Sequence, residues 1–229
     1  MKIFLDIETI PCQIESVKSA IAADVKPPAT YKKAESIAEW ERDKKPLAVE
    51  EELKKTSFDG AFGQVCCVSM AIDDDEPVTF YEQDWLNSEK KILTDFFALI
   101  NGSYNRSRDI PPMFIGHNIV NFDLRFLFHR AVILGIRFPA YLPINGKAWD
   151  RDIFDTMTYW AGHNGRVSLD KLCKVLNLPQ KGSEIGEEID GSMVWGFVRD
   201  GKIDLVAKYC AADVERVREI YKRLNFEGI

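Results

Sequence analysis

The chain opens on an alternation in which Ile3, Leu5 and Ile7 stand between Lys2, Phe4, Asp6 and Glu8. A strand turns successive side chains to opposite faces, so the pattern predicts a strand with Asp6 and Glu8 on the same side. Near the other end the period changes. Between Asp204 and Asn225, Val206, Cys210, Val214, Val217, Tyr221 and Leu224 recur at steps of three and four, which predicts a long helix with one apolar face. Tyr209 and Asp213 lie four apart and stack one turn above the other at the edge of that face.

Shorter patterns fill the interval. Gln64 to Ile72 reads as a strand and Glu76 to Glu82 as its hairpin partner, joined by the acidic turn Asp73-Asp74-Asp75. Lys90 to Ile100 reads as a helix stopped by Asn101-Gly102, and Ser103 to Pro112 as a polar loop in which Arg106 and Arg108 could meet phosphate. Met113 to Ile115 is strand-like and leads through Gly116, His117 and Asn118 to a helical stretch from Asp123 to Leu134, with Phe126, Leu127, Arg130, Ala131 and Leu134 at helical spacing. Ile153 to Met157 resembles a further strand that carries Asp155. The stretch from Gln13 to Gly60 differs in composition, mixing Lys, Glu, Asp and Ala with three prolines. It reads as two or three helices inserted after the first strand, either a solvated flap or a lid that could touch a strand through Trp40, Lys44 and Lys45. Periodicity alone supports an α/β class.

Two carboxylates side by side at the end of a buried strand are costly, because each raises the other's pKa and burial penalises both. A hard divalent cation removes that cost, and oxygen ligands suit magnesium or manganese. Asp123 on its own is an ordinary helix-start residue, and a Tyr at the edge of an apolar face is ordinary too.

The order of the three acidic motifs adds what none carries singly. DIET at Asp6 to Thr9, GHNIVNFD ending at Asp123, and YCAAD from Tyr209 to Asp213 resemble the DEDD (DnaQ-like) superfamily of 3′-5′ exonucleases, and more narrowly the proofreading exonuclease domain of family-B DNA polymerases. Tyr209 points to the tyrosine subgroup. The sister subgroup places a His five residues before the last Asp, where this chain has Lys208. Ser168-Leu169-Asp170-Lys171-Leu172 and the Asp190-Gly191, Val194-Trp195 stretch are similar to segments of that family as well, so the likeness covers the first dozen residues and nearly everything after Gly60.

The resemblance implies a ribonuclease-H-like fold, a mixed five-stranded sheet flanked by helices whose first three strands form an antiparallel meander. It implies two divalent cations, Mg2+ or Mn2+, with Asp6 bridging both, Glu8 and Asp213 completing the site at which the attacking water is activated, and Asp123 serving the second. Tyr209 would orient that water. Thr9, Ile10, His117, Asn118 and Phe122 would line the pocket for the terminal nucleotides. The expected activity is hydrolysis of single-stranded DNA from its 3′ end. The alternatives are an exoribonuclease of the same fold, a ribonuclease H or resolvase-type endonuclease, and a non-catalytic nucleic-acid or polymerase-binding module, although such a module would typically have lost a carboxylate.

Composition narrows the partners. The 229 residues suffice for one catalytic domain over 1–229, and a net charge of −6 favours a short footprint on a strand end over a long duplex-binding track. No polymerase palm, fingers or thumb follows Ile229, so the expected setting is work alone or beside a separate polymerase, helicase or recombination factor. Five cysteines without a CxxC pair imply neither a disulfide framework nor a zinc ribbon. With no signal-peptide pattern and no membrane-length apolar run, the reducing cytoplasm is the expected location.

Overall fold

The structure, a computed structural model, describes residues 1–105, 109–147, 150–186 and 189–227. Its elements follow in the order β1 (Lys2–Ile10), α1 (Glu15–Asp24), α2 (Ala34–Asp43), α3 (Lys45–Lys55), a short 3₁₀ turn (Thr56–Phe58), β2 (Gln64–Ile72), β3 (Val78–Tyr81), α4 (Glu89–Ser103), β4 (Met113–Gly116), α5 (Asp123–Leu134), β5 (Ile153–Asp155), α6 (Thr156–Ala161), α7 (Leu169–Val175), α8 (Val194–Arg199) and α9 (Ile203–Leu224). The strands form one sheet in the order β3-β2-β1-β4-β5. β3, β2 and β1 pair antiparallel, whereas β1, β4 and β5 run parallel, which is the mixed five-stranded arrangement expected. No described helix is long and apolar enough to cross a membrane.

The alternation along β1 decides what covers each face of the sheet. Ile3, Leu5 and Ile7 enter a core with side chains of α4 and α5, while Phe4 enters another with Leu172 of α7 and Val214 and Val217 of α9. Beyond Glu8 the pairing with β2 shifts, since Glu8 opposes Cys67 and Thr9 opposes Val65. Cys66 is thus an extra residue in β2, a bulge that bends the strand end. Ile10 then packs with Val194 and Val198 of α8 and Val206 and Tyr209 of α9.

β3 is shorter than the expected Glu76 to Glu82, and two further boundaries differ from expectation in kind. α4 continues through Asn101-Gly102 to Ser103, whose hydroxyl donates to the Leu99 carbonyl at 2.9 Å. Gly102 sits in open space there, so it lowers helix propensity without demanding a turn. The segment beginning at Ile153 is a strand only to Asp155. The Asp155 carboxylate accepts the Met157 and Thr158 backbone N–H groups, and this cap turns the chain directly into α6. Arg106 and Arg108 lie outside the described residues.

The insert folds as α1 to α3 with the 3₁₀ turn. Trp40 is buried among those helices, and the Lys44 ammonium donates to the Tyr31 hydroxyl at 3.0 Å, so both are engaged within the insert. Its far end is tied back to β1. The Thr9 hydroxyl donates to the Ser57 carbonyl at 2.7 Å and the Cys12 N–H donates to the Thr56 hydroxyl at 2.8 Å.

A buried ion pair joins α4 to α5. Arg130 donates to both oxygens of Glu89 at 2.8 and 2.7 Å, and Glu89 also accepts the Val65 N–H at 2.8 Å. Both side chains are about 5% exposed or less, so removing one strands a charge in the interior. Arg130→Met should therefore lose about 3–5 kcal/mol in urea unfolding. Glu89→Leu added to the same chain should recover a substantial part of that loss, and an equal or larger loss in the double variant would contradict the account.

Candidate metal and nuclease site

β1 and α9 bring the acidic motifs together. Asp6, Glu8 and Asp213 each present a carboxylate oxygen within 4.8 Å of the others. The strand supplies Asp6 and Glu8 from the face that packs on α9, and the helix supplies Asp213 one turn after Tyr209. Contact is direct, for the Cys210 thiol lies 3.4 Å from the Asp6 carbonyl. Asp213 is 1% and Glu8 9% exposed, and Asp6 is half-buried.

Asp123 stands outside that triad at the first position of α5. It is buried, with the backbone of Ile7 beside its carboxyl, and its charge acts on Asp6.

The crowding is visible in the titration of these groups. Burial holds the Asp6 carboxyl well above the usual range, and the charges of Asp213 and Asp123 push it further. Burial likewise raises Glu8, with Asp6 as the next cause. Asp123 is pushed up to about 7, by burial first and then by Asp155, against the pull of backbone N–H groups. Asp213 is raised by burial although two cations hold it back.

Those cations are residues that sequence reasoning missed. The Lys181 ammonium lies 2.6 Å from one Asp213 oxygen, and the Arg216 guanidinium donates to the other at 2.9 Å. Burial opposes the charge on Lys181, but Asp213, Tyr209, Glu8 and Asp6 outweigh it and the ammonium stays protonated. Lys181 therefore stands where a cation is favoured by all three carboxylates. Arg216 also donates to the Pro179 and Gln180 carbonyls at 3.0 and 2.6 Å and pairs with Glu184, so it pins the loop that carries Lys181. Nothing in the local pattern of that loop separates Lys181 from a solvated lysine.

Tyr209 is fully buried, with the Lys181 ammonium 4.7 Å from its ring centre. Its hydroxyl has no hydrogen-bond partner among the described residues. Leaving a buried hydroxyl unpaired costs about 1–3 kcal/mol. Burial and the nearby Asp213 charge raise its pKa, so the group is a phenol rather than a phenolate. A triad of buried oxygens, a lysine ammonium held among them and an orphan hydroxyl at their edge together fit a bound divalent cation with its water.

The remaining motif residues spread along the same ends of the strands. Thr9 is engaged with Ser57, and Ile10 is wholly buried behind the bulge, where it offers no surface. His117 is braced on both sides, because Nε2 lies 2.8 Å from the Val167 carbonyl and Nδ1 lies 2.9 Å from the Thr156 hydroxyl. A carbonyl can only accept, so Nε2 carries the proton. Burial lowers the pKa of His117 and keeps the ring neutral. Asn118 adopts a left-handed backbone with φ of 64°, and its N–H donates to Asp155 at 3.0 Å. Asp155 thus holds the second motif's loop as well as capping α6. Phe122 packs on Phe126 at 5.6 Å between ring centres and lines a cleft with Asn118.

Comparison with known proteins gives a family and a fold. The model of a family described as a predicted 3′-5′ exonuclease related to the exonuclease domain of PolB matches residues 58–226. That span includes Asp123, Tyr209 and Asp213 and begins after β1, so Asp6 and Glu8 join the group through the structure. The family B DNA polymerase from the hyperthermophilic archaeon Pyrobaculum calidifontis is similar in structure, with a TM-score of 0.53, 17% identity and 73% of this chain covered. The match spans 22% of that polymerase, and at this identity it shows the fold alone, the ribonuclease-H-like mixed sheet flanked by helices. No curated protein matches the sequence. With most of its length matched, the chain belongs to the family of predicted 3′-5′ exonucleases related to the exonuclease domain of PolB.

Proposed function

We propose that the chain is an active exonuclease that hydrolyses single-stranded DNA from its 3′ end to nucleoside monophosphates, using two divalent cations, magnesium or manganese. The observation that carries this reading is the convergence of Asp6, Glu8 and Asp213 within 4.8 Å, beside the orphan hydroxyl of Tyr209. Asp6, Glu8 and Asp213 would hold one cation, and Asp6 with Asp123 the second. Bound there, the cations supply an activated water and relieve negative charge at the departing 3′ oxygen.

The protein's own groups position and balance. In the hydrolysis a water oxygen joins the phosphorus, the bond from phosphorus to the 3′ oxygen breaks, and that oxygen takes up a proton. The released nucleotide keeps the phosphate. Tyr209 stays neutral, so its hydroxyl orients the water by a hydrogen bond and does not act as a base. The Lys181 ammonium adds a fixed positive charge beside the place where the phosphate must sit. Four carboxylates would otherwise repel an anionic strand, and the cations together with Lys181 remove that barrier.

Several outcomes test the reading. Asp6→Ala or Asp213→Ala should lower turnover at least about 100-fold while the chain still binds a labelled single strand, because the lost interaction is strongest in the transition state. Parental turnover in either variant would end the assignment. Tyr209→Phe should slow turnover on the order of 10-fold, the worth of one positioning hydrogen bond. Digestion of 3′-labelled, 5′-labelled and circular strands of DNA and RNA should show loss of the 3′ label first and an intact circle. Cleavage of the circle would make the enzyme an endonuclease, and a preference for ribonucleotides would change the substrate.

A further prediction concerns pH. The Asp123 carboxyl moves from an ordinary 3.8 to about 7 on folding, so the folded chain binds that proton more tightly than the unfolded one. Stability is then lost as pH rises through the unfolded value, and the loss is complete above about 7. In EDTA, Asp123→Asn should melt at a higher temperature than the parental chain, by a margin that grows between pH 4 and pH 7 and then levels off. A margin that shrinks with pH would reverse the sign and refute the account. Added Mg2+ or Mn2+ should stabilise the parental chain more than the variant.

A further inference from the structure

The loop that leads from β4 to Asp123 borders a cleft of about 910 Å³, which it lines with Asn118, Val120, Asn121 and Phe122. None of the thirteen described residues that line it is an Asp or Glu, whereas Lys147, His163 and Arg166 are among them. In a chain with 36 acidic residues and a net charge of −6, a cleft of this size whose described lining carries a Lys and an Arg and no carboxylate is a local reversal of sign. Three asparagine side chains and two phenylalanines complete the polar and aromatic lining.

The cleft is built from four separate segments, each fixed by an identifiable constraint. Phe58 comes from the last turn of the insert and is 69% exposed, an unusual position for an aromatic ring that packs on no core. It is not loosely placed, because the neighbouring Ser57 carbonyl accepts the Thr9 hydroxyl at the end of β1. Asn118 and Phe122 come from the loop held by Asp155. Arg125 of α5 donates to the Ile144 carbonyl at 2.7 Å and fixes the stretch leading to Lys147. His163 and Arg166 come from a tight turn after α6. Gly165 there approaches Ala161 so closely that a Cβ would lie 2.1 Å from its carbonyl oxygen.

We infer that this cleft is a second nucleotide subsite, which takes the bases and phosphates upstream of the terminal nucleotide of a single strand and gives the insert its function. Phe58 is the stacking platform, and Arg166 with Lys147 tracks the phosphates. Every base has a π face, so a ring on the surface holds a strand without choosing its sequence, and a basic groove beside it follows the backbone. The inference rests on the exonuclease reading for the position of the strand's 3′ end, since Phe122 of the cleft adjoins Asp123 of the proposed cation site. It extends that reading to the length of strand recognised.

Fluorescence anisotropy with labelled dT2 and dT12 in EDTA, so that no strand is consumed, provides the test. Phe58→Ala should weaken dT12 binding roughly 10-fold. dT2 should lose less, since its upstream contacts are fewer. Arg166→Gln should weaken dT12 and flatten the slope of log affinity against log salt by about 0.7, the share of one phosphate contact on a single strand. Leu47→Ala, a control on an exposed residue of the insert outside the cleft, should bind both oligonucleotides as the parental chain does. Unchanged dT12 affinity in both Phe58→Ala and Arg166→Gln would overturn the subsite, even if the parental chain degrades DNA. Weakened dT12 binding in these variants alongside a parental chain that degrades no strand in Mg2+ or Mn2+ would uphold the cleft and remove the exonuclease reading instead.

Discussion

The structure depends on one costly arrangement, the burial of Asp6, Glu8 and Asp213 with their oxygens within 4.8 Å of one another. Like charges at that separation in a poorly solvated site repel by several kcal/mol, and burial adds to the cost. The surrounding chain is arranged to offset it. Lys181 and Arg216 each take one oxygen of Asp213, and Arg216 is itself fixed by two backbone carbonyls and Glu184. The path of the loop from Pro179 to Glu184 therefore follows from the charge on Asp213. Without that carboxylate the guanidinium would keep its carbonyl partners but lose its innermost one, and Lys181 would have little reason to be buried.

Asp155 does the corresponding work on the other side of the site. One buried carboxylate caps α6 and accepts the Asn118 N–H, so the end of β5 and the loop after β4 share an anchor. The left-handed backbone at Asn118 is strained for a residue with a side chain, and an anchored N–H helps to hold it. Gly116 adds a second constraint, because Ile119 folds back against it closely enough that a Cβ would lie 2.7 Å away. Asp123 and Phe122 owe their position at the mouth of the sheet to this turn. The two halves of the site are thus secured by different means, ion pairs around α9 and hydrogen bonds to one carboxylate around β4 and β5.

Much of this was legible in the sequence wherever a period existed to be read. The alternation along β1 put Asp6 and Glu8 on one face, the span of β2 was read to the residue, and the three- and four-residue steps of α9 placed Tyr209 one turn before Asp213. The motif order then pointed to the fold. What could not be read lacks a period. Lys181 and Arg216 become partners of Asp213 only when a loop folds back on α9. The extra residue at Cys66 is defined by its partner strand, and the double role of Asp155 depends on backbone groups more than thirty residues away in sequence. Ile10 shows the same limit in reverse, for its place after the first motif suggests a part of the nucleotide pocket, while it packs in the core with Tyr209.

The acidic net charge had argued for a short footprint on a strand end, and the distribution of that charge gives the argument a location. Much of the negative charge lies away from the cleft. The Asp73 to Asp75 turn receives Lys2, Arg218 and Lys222, and the exposed helices of the insert carry pairs such as Glu50 with Lys54 and Glu52 with Lys55. Screening limits the reach of such surface charges to about 10 Å at ordinary ionic strength. A strand seated in the cleft would meet Lys147, His163 and Arg166, and no carboxylate among the described lining residues, before its end reached the buried acids. In the proposed reading, net charge therefore governs how readily a polyanion approaches the molecule from afar, whereas the local reversal of sign governs where it settles. In that reading the acidic cage can be crowded with carboxylates without losing its substrate, because the strand would be held by the cleft's side chains and the cations by Asp6, Glu8, Asp123 and Asp213, two sets that share no residue.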